Sequence, residues 1–184
     1  MGCSGVECSG GPDDYAASWK DVVGASDFVR ARGATDVVLI GASIGAMASL
    51  HALATRSLEA AAFSEIGGVN HASGYDFSRE QLGTLEGAKL FVSSAHDTYG
   101  AADAAREWHD WARKPKQLAI LPGNAHGTDM LVDGQPTAEP LMELVEIGLG
   151  RRGVLAQLAF QLPDAIVKDG VQHGCLLAAP AVRV

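Results

Sequence analysis

The sequence has few cysteines, no block of basic residues and no long apolar run. Cys3, Cys8 and Cys175 are the three cysteines of 184 residues. Their odd number and irregular spacing indicate reduced thiols rather than a disulfide framework, and they predict no metal site. Lysine and arginine total 14 against 22 aspartates and glutamates, for a net charge of −8. Without a basic cluster to neutralise phosphates, nucleic acid is excluded as a partner.

Membrane segments are also missing from the sequence. No stretch comes near the roughly 18 uncharged apolar residues that a membrane-spanning helix needs. The N-terminus shows no basic region followed by an apolar one, as a secretory signal would. We therefore predict a cytoplasmic protein with no membrane partner.

What is present is an alternation of short apolar runs with helical patterns. At 184 residues and 47% hydrophobic content, the chain can form one domain with a buried core. The alternation predicts an α/β fold with an open, mostly parallel sheet and flanking helices. Strands are expected at Asp36–Ile40, Glu59–Phe63, Lys89–Ser93 and Gln117–Leu121, and helices at 14–32, at Ile44–Arg56, at Ala101–Arg113, and after Thr137 as far as Gly153.

The pentapeptide Gly41-Ala42-Ser43-Ile44-Gly45 lies between the first strand and its following helix. A sharp strand-to-helix turn strains the residue at its tip and needs small neighbours, which Gly41 and Gly45 provide. Such a nucleophile elbow exposes the Ser43 hydroxyl and places the Ile44 amide at a helix N-terminus, where anions are stabilised. The alternative is a small serine in an ordinary glycine-rich turn.

Two further candidates complete a catalytic set with Ser43. Asp97 and His126 each follow an apolar strand, where open parallel sheets gather their catalytic groups. In a Ser–Asp–His set, the histidine takes the serine proton and the aspartate fixes the imidazole tautomer. Glu65 and Asp76 are alternative acids, and His126 has the alternative of a loop histidine bound to backbone. His71 is a candidate pocket residue, although an exposed loop histidine is the commoner alternative, whereas His51 is expected to pack on the helix after Ser43.

The motifs GASIGA, SSAHDTYGAADAA and LPGNAHGTDM resemble those of the α/β-hydrolase family, in its branch of small serine esterases and dienelactone hydrolases. The resemblance covers about residues 5–150. It implies a partial α/β-hydrolase fold whose strands correspond to the C-terminal half of the family sheet. It also implies a serine hydrolase of small carboxylic esters or thioesters, without cofactor or metal, using Ser43, Asp97 and His126 with Ile44 in the oxyanion hole.

The family's first strands, and the loop that supplies a second oxyanion amide, have no counterpart in the sequence. We therefore predict a truncated hydrolase domain at 1–150 and an apolar tail of unknown role at 151–184. A truncated gene model, a fragment, and a subunit completed by another polypeptide all fit this pattern. Weak turnover is expected, and alternatives are a non-catalytic small-molecule binding or interaction module and a defective product.

The predicted sheet leaves the Ser43 strand at an open edge, and two occupants are considered for it. The apolar tail is expected to pack there, because a solvated tail of that composition is unfavourable. The same edge allows a homo-oligomer or a completing chain to pair with it.

Overall fold

A computed structural model describes the backbone of residues 14–150 and 175–178, and the side chains of residues 14–144. Within these residues the chain forms one five-stranded sheet in the order β4-β3-β2-β1-β5. The strands are β1 (Val38–Ala42), β2 (Ala62–Ile66), β3 (Ala88–Ser94), β4 (Lys116–Leu121) and β5 (Cys175–Ala178). The helices are α1 (Trp19–Arg30), α2 (Ile44–Ala54), α3 (Arg79–Gly83), α4 (Ala101–Trp111) and α5 (Ala138–Gly150), with 3-10 helices at Tyr15–Ala17 and Gly127–Leu131.

Strands β1 to β4 run parallel, and each pairs with the next along the chain. Helices lie between consecutive strands, because parallel neighbours can be joined only by crossover connections. All four carboxyl ends therefore meet at one edge of the sheet, and the loops after them lie side by side. The predicted open α/β sheet is confirmed.

Strand β5 pairs antiparallel with β1, from Val38 opposite Ala178 to Gly41 opposite Cys175. The side of β1 that the sequence analysis left for the tail or another chain is therefore occupied by β5. The tail hypothesis agrees with this pairing at residues 175–178; residues 151–174 and 179–184 lie outside the described residues.

The core has two parts, one on each face of the sheet. The larger part lies with α1, α2 and α4 and includes Leu39, Phe63, Phe91 and Trp108. Trp108 is fully buried, with its ring edge-on to Phe77 at 5.3 Å between centroids. The second part lies on the opposite face and includes Val38, Leu90, Val92, Met130 and Leu141 of α5. Burial on both faces explains why the parallel strands are continuous apolar runs rather than alternating ones.

Two expected boundaries differ clearly from the structure. The first helix begins at Trp19 rather than residue 14, because a separate 3-10 helix precedes it and the Asp14 side chain makes no capping hydrogen bond. Strand β2 lies three residues later than expected and includes the buried polar pair Ser64 and Glu65. The start of α5 directly after Thr137 is confirmed, and the buried Thr137 hydroxyl donates to the Met130 carbonyl at 2.8 Å.

Helix α3 was not expected, although the sequence carries its signal. Ser78 and Gln81 form a capping box, in which each side chain accepts a hydrogen bond from the other residue's amide. The Ser-x-x-Gln spacing is a known mark of a helix start. The helix has only five residues, which is too short for an apolar helical periodicity to be recognised in the sequence.

Candidate active site

Ser43 lies at the tip of a strained turn between β1 and α2. Its φ of 51° and ψ of −119° are a conformation that residues other than glycine rarely adopt. Its amide donates to the Ile66 carbonyl at 2.9 Å, which ties the turn to β2. Helix α2 begins at the next residue, Ile44, so that residue's amide is among those without a partner inside the helix. This is the geometry expected of a nucleophile elbow.

Gly41 shows why the elbow needs small residues. A Cβ atom at this position would lie 2.5 Å from the Gly45 carbonyl oxygen and 2.6 Å from the Ala46 Cα. Both obstructing atoms belong to the backbone of α2, which is itself buried against the sheet. The close approach of strand and helix therefore has no room for a side chain.

We expect Gly41→Ala to destabilise the fold, because the new methyl group must push α2 away from β1. Overpacking of this kind costs about 1–3 kcal/mol or more in the free energy of unfolding. Chemical denaturation followed by circular dichroism measures the change. Gly83→Ala is the matched control, since its nearest neighbour would be 3.9 Å away. Equal stability of the two variants would contradict the crowding that we infer at the elbow.

The structure brings Ser43, His126 and Asp97 together in one hydrogen-bonded chain. The Ser43 Oγ lies 2.8 Å from His126 Nε2. His126 Nδ1 lies 2.7 Å from Asp97 Oδ2. The Asp97 side chain is fully buried and that of His126 is 21% exposed. These residues are 29 to 83 positions apart in sequence.

The hydrogen-bond roles follow from the chemistry of the acid. An ionised carboxylate can only accept, so the proton between Asp97 and His126 lies on Nδ1. In the neutral imidazole, Nε2 is then an acceptor, and it faces the Ser43 hydroxyl. The arrangement can remove the serine proton during attack on a carbonyl carbon.

Three loops meet at the site through glycine contacts. Gly127, at φ 54°, leaves so little space that an added Cβ would lie 3.0 Å from the Ser43 Cβ. Gly67, at φ 64°, packs in turn against Gly127, because a Cβ added to Gly67 would lie 2.8 Å from the Gly127 amide nitrogen. The loops after β1, β2 and β4 are therefore stacked in van der Waals contact. The position of His126 depends on this stack.

Backbone hydrogen bonds hold the acid and histidine loops together. The amides of Ala95 and His96 donate to the carbonyls of Leu121 and Gly123 at 2.7 and 2.9 Å. The buried Ser94 hydroxyl donates to the Ala125 carbonyl, next to the histidine. The Asp97 and His126 loops are thus joined at three points as they leave β3 and β4.

The two alternative acids lie elsewhere. Asp76 is on the surface, where its carboxylate lies 2.8 Å from His71 Nδ1. Glu65 is fully buried, and its Oε1 accepts a hydrogen bond from the Gly68 amide. Burial raises the pKa of Glu65 to about 8, although the Gly68 hydrogen bond opposes the shift. Asp97 is the carboxylate that contacts His126.

His51 packs as expected. Its ring lies 5.4 Å from the rings of both Trp19 and Tyr75, and burial lowers the pKa of its imidazole. It does not contact the Ser43 hydroxyl chain. The sequence interpretation of His51 as a packing residue is confirmed.

Tyr99 is a site residue that the sequence analysis missed. Its ring lies 4.5 Å from that of His126, and its amide donates to Asp97 Oδ1 at 2.8 Å. It is 68% exposed, so it forms a wall of the site open to solvent. It also lines a cleft of about 330 Å³ between the loop after β2 and the N-terminal half of α4; the lining residues are Val69, Asn70, His71, Tyr99, Gly100, Asp103, Ala104 and Glu107. His71, the candidate pocket residue, is therefore part of this cleft.

The described residues contain neither a membrane-spanning helix nor a cluster of metal-binding side chains. None of the helices in residues 14–150 combines the length and apolar character needed to cross a membrane. In the same part of the chain, no group of three or more histidine, cysteine or acidic side chains is placed to hold a metal ion.

Comparison with solved structures gives similar folds at low sequence identity. The dienelactone hydrolase from Anabaena variabilis ATCC 29413 superposes with a TM-score of 0.60 at 20% identity, over 76% of this chain and 61% of that protein. The esterase domain of a Rhodothermus marinus protein gives 0.58 at 19% identity, over 72% and 68% of the two chains. The chain has an α/β-hydrolase-type fold. A serine hydrolase involved in carbazole degradation, the CarC enzyme, gives a TM-score of 0.58 at 12% identity, over 75% and 73%.

The likeness to these hydrolases is one of fold. No protein-family model matches the sequence, and no curated protein sequence matches it. The aligned part spans 61% of the length of the Anabaena dienelactone hydrolase. The resemblance of the short motifs to the α/β-hydrolase family is thus supported at the level of the fold that carries them.

Proposed function

We propose that this α/β-hydrolase-type chain is a serine hydrolase that cleaves small carboxylic esters or thioesters through an acyl-enzyme. The observation that carries the proposal is the continuous hydrogen-bond chain from Ser43 through His126 to Asp97. The strained elbow supports it, because backbone strain of this type is concentrated at functional sites. The hydrolases of similar fold support the reaction class.

In the proposed first half-reaction, Ser43 Oγ attacks the carbonyl carbon while His126 Nε2 takes the hydroxyl proton. The tetrahedral intermediate collapses when the carbon–oxygen or carbon–sulfur bond to the leaving group breaks. His126 returns the proton to the leaving alcohol or thiol. Asp97 stabilises the imidazolium that exists between these proton transfers. Ser43 is left acylated.

In the second half-reaction, water attacks the acyl-enzyme with His126 again acting as the base. The bond between Ser43 and the acyl carbon breaks, and the proton returns to the serine oxygen as the carboxylic acid leaves. The residues that we assign carry every proton in both steps. The proposal therefore includes no cofactor.

The Ile44 amide is the oxyanion donor that we assign, because it lies at the start of α2 directly after the nucleophile. Loss of one oxyanion donor typically costs about 3–4 kcal/mol of transition-state stabilisation. With this one assigned donor, we expect slow turnover.

The cleft beside Tyr99 is the proposed site for one side of the substrate. Tyr99 lines the cleft and also lies 4.5 Å from the His126 ring, and the polar lining includes Asn70 and Glu107. A volume of about 330 Å³ suits a small substrate group. This fits a small ester or thioester rather than a long-chain lipid.

Covalent labelling tests the proposal directly. A fluorophosphonate probe should phosphonylate Ser43, with fluoride as the leaving group, and peptide mass spectrometry should locate the adduct there. Heat-denatured protein and the Ser43→Ala variant are the controls and should remain unlabelled. An adduct on other residues only, or none at all in folded protein, would refute the proposed nucleophile.

A non-catalytic role is the second candidate. The aligned part of the chain covers 61% of the dienelactone hydrolase, so the rest of that protein has no aligned counterpart here. In this case the cleft binds a small acyl compound without turnover. A ligand-dependent rise in melting temperature, without labelling of Ser43 or hydrolysis, would favour this role.

A further inference from the structure

Glu65 is an acidic side chain in a place where charge is costly. It lies near the carboxyl end of β2, opposite Gly41 of β1 and Phe91 of β3. It is fully buried and faces the larger part of the core, where an added Cβ on Gly68 would meet both its Oε1 and the Trp108 ring. Such a carboxylate needs several donors to remain ionised.

The surroundings of Glu65 supply too few donors for an ionised group. Its Oε1 accepts from the Gly68 amide, and the Val92 backbone also favours the ionised form, while Oε2 has no hydrogen-bond partner at close range among the described residues. No salt bridge to Glu65 exists in that part of the chain. The charged group that acts on Glu65 is Asp97, which repels a second negative charge. From α4, the neutral Trp108 ring faces the same turn. Burial accordingly raises the pKa of Glu65 to about 8, so the side chain is mostly protonated at neutral pH.

The backbone that Glu65 holds belongs to the active site. Glu65 accepts from Gly68, and the adjacent Gly67 packs against Gly127. An added Cβ on Gly67 would also lie 3.7 Å from His126 Nδ1, the nitrogen bound to Asp97. A shift of the Gly67–Gly68 turn would therefore move the wall against which the imidazole packs.

We propose that Glu65 is a positioning residue that works as a neutral carboxylic acid. Its carbonyl oxygen anchors the Gly67–Gly68 turn against Gly127 and His126 without placing a second negative charge beside Asp97. Ionisation breaks this arrangement, because the Gly68 and Val92 backbone groups do not offset the burial of the charge, and Asp97 repels it. The catalytic part of this inference rests on the proposed function.

Two substitutions separate the hydrogen bond that Glu65 accepts from its ability to ionise. Glu65→Gln keeps a carbonyl acceptor for the Gly68 amide and cannot ionise, whereas Glu65→Met keeps the size but removes the acceptor. At pH 7 we expect the rate of Ser43 labelling in Glu65→Gln to stay within about twofold of wild type, and that in Glu65→Met to fall about tenfold or more, since small displacements of catalytic groups are costly. Glu143→Gln, an exposed change on α5, is the control and should label like wild type.

The pH profile tests the protonation state. The labelling rate of wild type should show an inflection near pH 8 that Glu65→Gln lacks. An identical profile in the two proteins would overturn the proposal. So would a wild-type labelling rate in Glu65→Met, or a loss in Glu65→Gln as large as that in Glu65→Met.

Thermal stability provides a readout that needs no activity. A carboxyl group whose folded pKa lies above its unfolded value destabilises the fold as pH rises between the two. With a folded pKa of about 8, the melting temperature of wild type should fall relative to Glu65→Gln from about pH 4.5 to pH 8, and the pH-dependent difference should vanish below about pH 4.5. A constant difference across this range would refute the neutral carboxyl. If wild type is unlabelled at every pH, the proposed function fails. The melting curves still decide whether Glu65 is a neutral carboxylic acid in the folded protein.

Discussion

Turnover of an activated ester such as p-nitrophenyl acetate should fall to the rate of the reaction without protein when Ser43 is replaced by alanine. The side chain carries the oxygen that forms the acyl-enzyme, and no other hydroxyl contacts His126 Nε2 among the described residues. In a complete triad enzyme this loss is on the order of 10⁶-fold in kcat. With one assigned oxyanion donor, the starting rate is lower by about 10²–10³, and the expected loss shrinks to about 10³–10⁴-fold.

Release of p-nitrophenolate, monitored by absorbance, measures this change. Ser57→Ala is the matched control, because Ser57 is an exposed serine after α2 and its replacement should leave the rate unchanged. A Ser43→Ala protein that retains more than a tenth of the wild-type kcat would show that hydrolysis occurs elsewhere on the chain. Retention of fold should be verified by circular dichroism, since the substitution also alters the strained turn.

Much of the sheet could be predicted from the sequence because parallel strands are buried on both faces. Such strands appear in the sequence as short apolar runs. The predicted bounds of β1, β3 and β4 lie within two residues of the observed bounds. The convergence of Ser43, Asp97 and His126 follows from the same fact. Once strands are parallel and adjacent, the residues just past their carboxyl ends must lie close together.

Strand β2 was misplaced because one of its buried residues is a glutamate, a residue type that is charged when exposed. The sequence Phe63-Ser64-Glu65-Ile66 reads as the end of an apolar run, yet all four residues are buried strand. Glutamate is almost never fully buried unless paired, so its presence argued against a strand. The mistaken boundary and the unusual protonation of Glu65 have the same physical cause.

Contacts between loops were the part of the site that sequence reasoning could not supply. The Gly67–Gly127–Ser43 stack is so close that a Cβ added to either glycine would lie 2.8 to 3.0 Å from the next loop, and no residue pattern reports such an approach. Tyr99 lies two residues after Asp97, so its position beside His126 could have been expected from the acid loop alone. The antiparallel pairing of β5 has no local signal either, because it joins residues more than 130 positions apart.

Asp97→Asn tests which acid serves His126. Asparagine keeps the shape of the side chain but presents an amide, which neither fixes the proton on Nδ1 nor offsets the imidazolium charge. In a complete triad, this change lowers kcat by about 10⁴-fold. Here we expect a large loss that still leaves more activity than Ser43→Ala, because removal of the acid alone costs less than removal of the nucleophile.

The competing acids give this experiment its controls. Asp76→Asn disrupts an exposed pair with His71 and should leave kcat within about twofold, since surface ion pairs contribute little. Glu65→Gln should also retain activity at pH 7, because its side chain is already uncharged there. If either of these variants lost activity while Asp97→Asn kept it, the acid of the triad would be reassigned. The hydrogen bond of 2.7 Å between Asp97 and His126 would then be structural rather than catalytic.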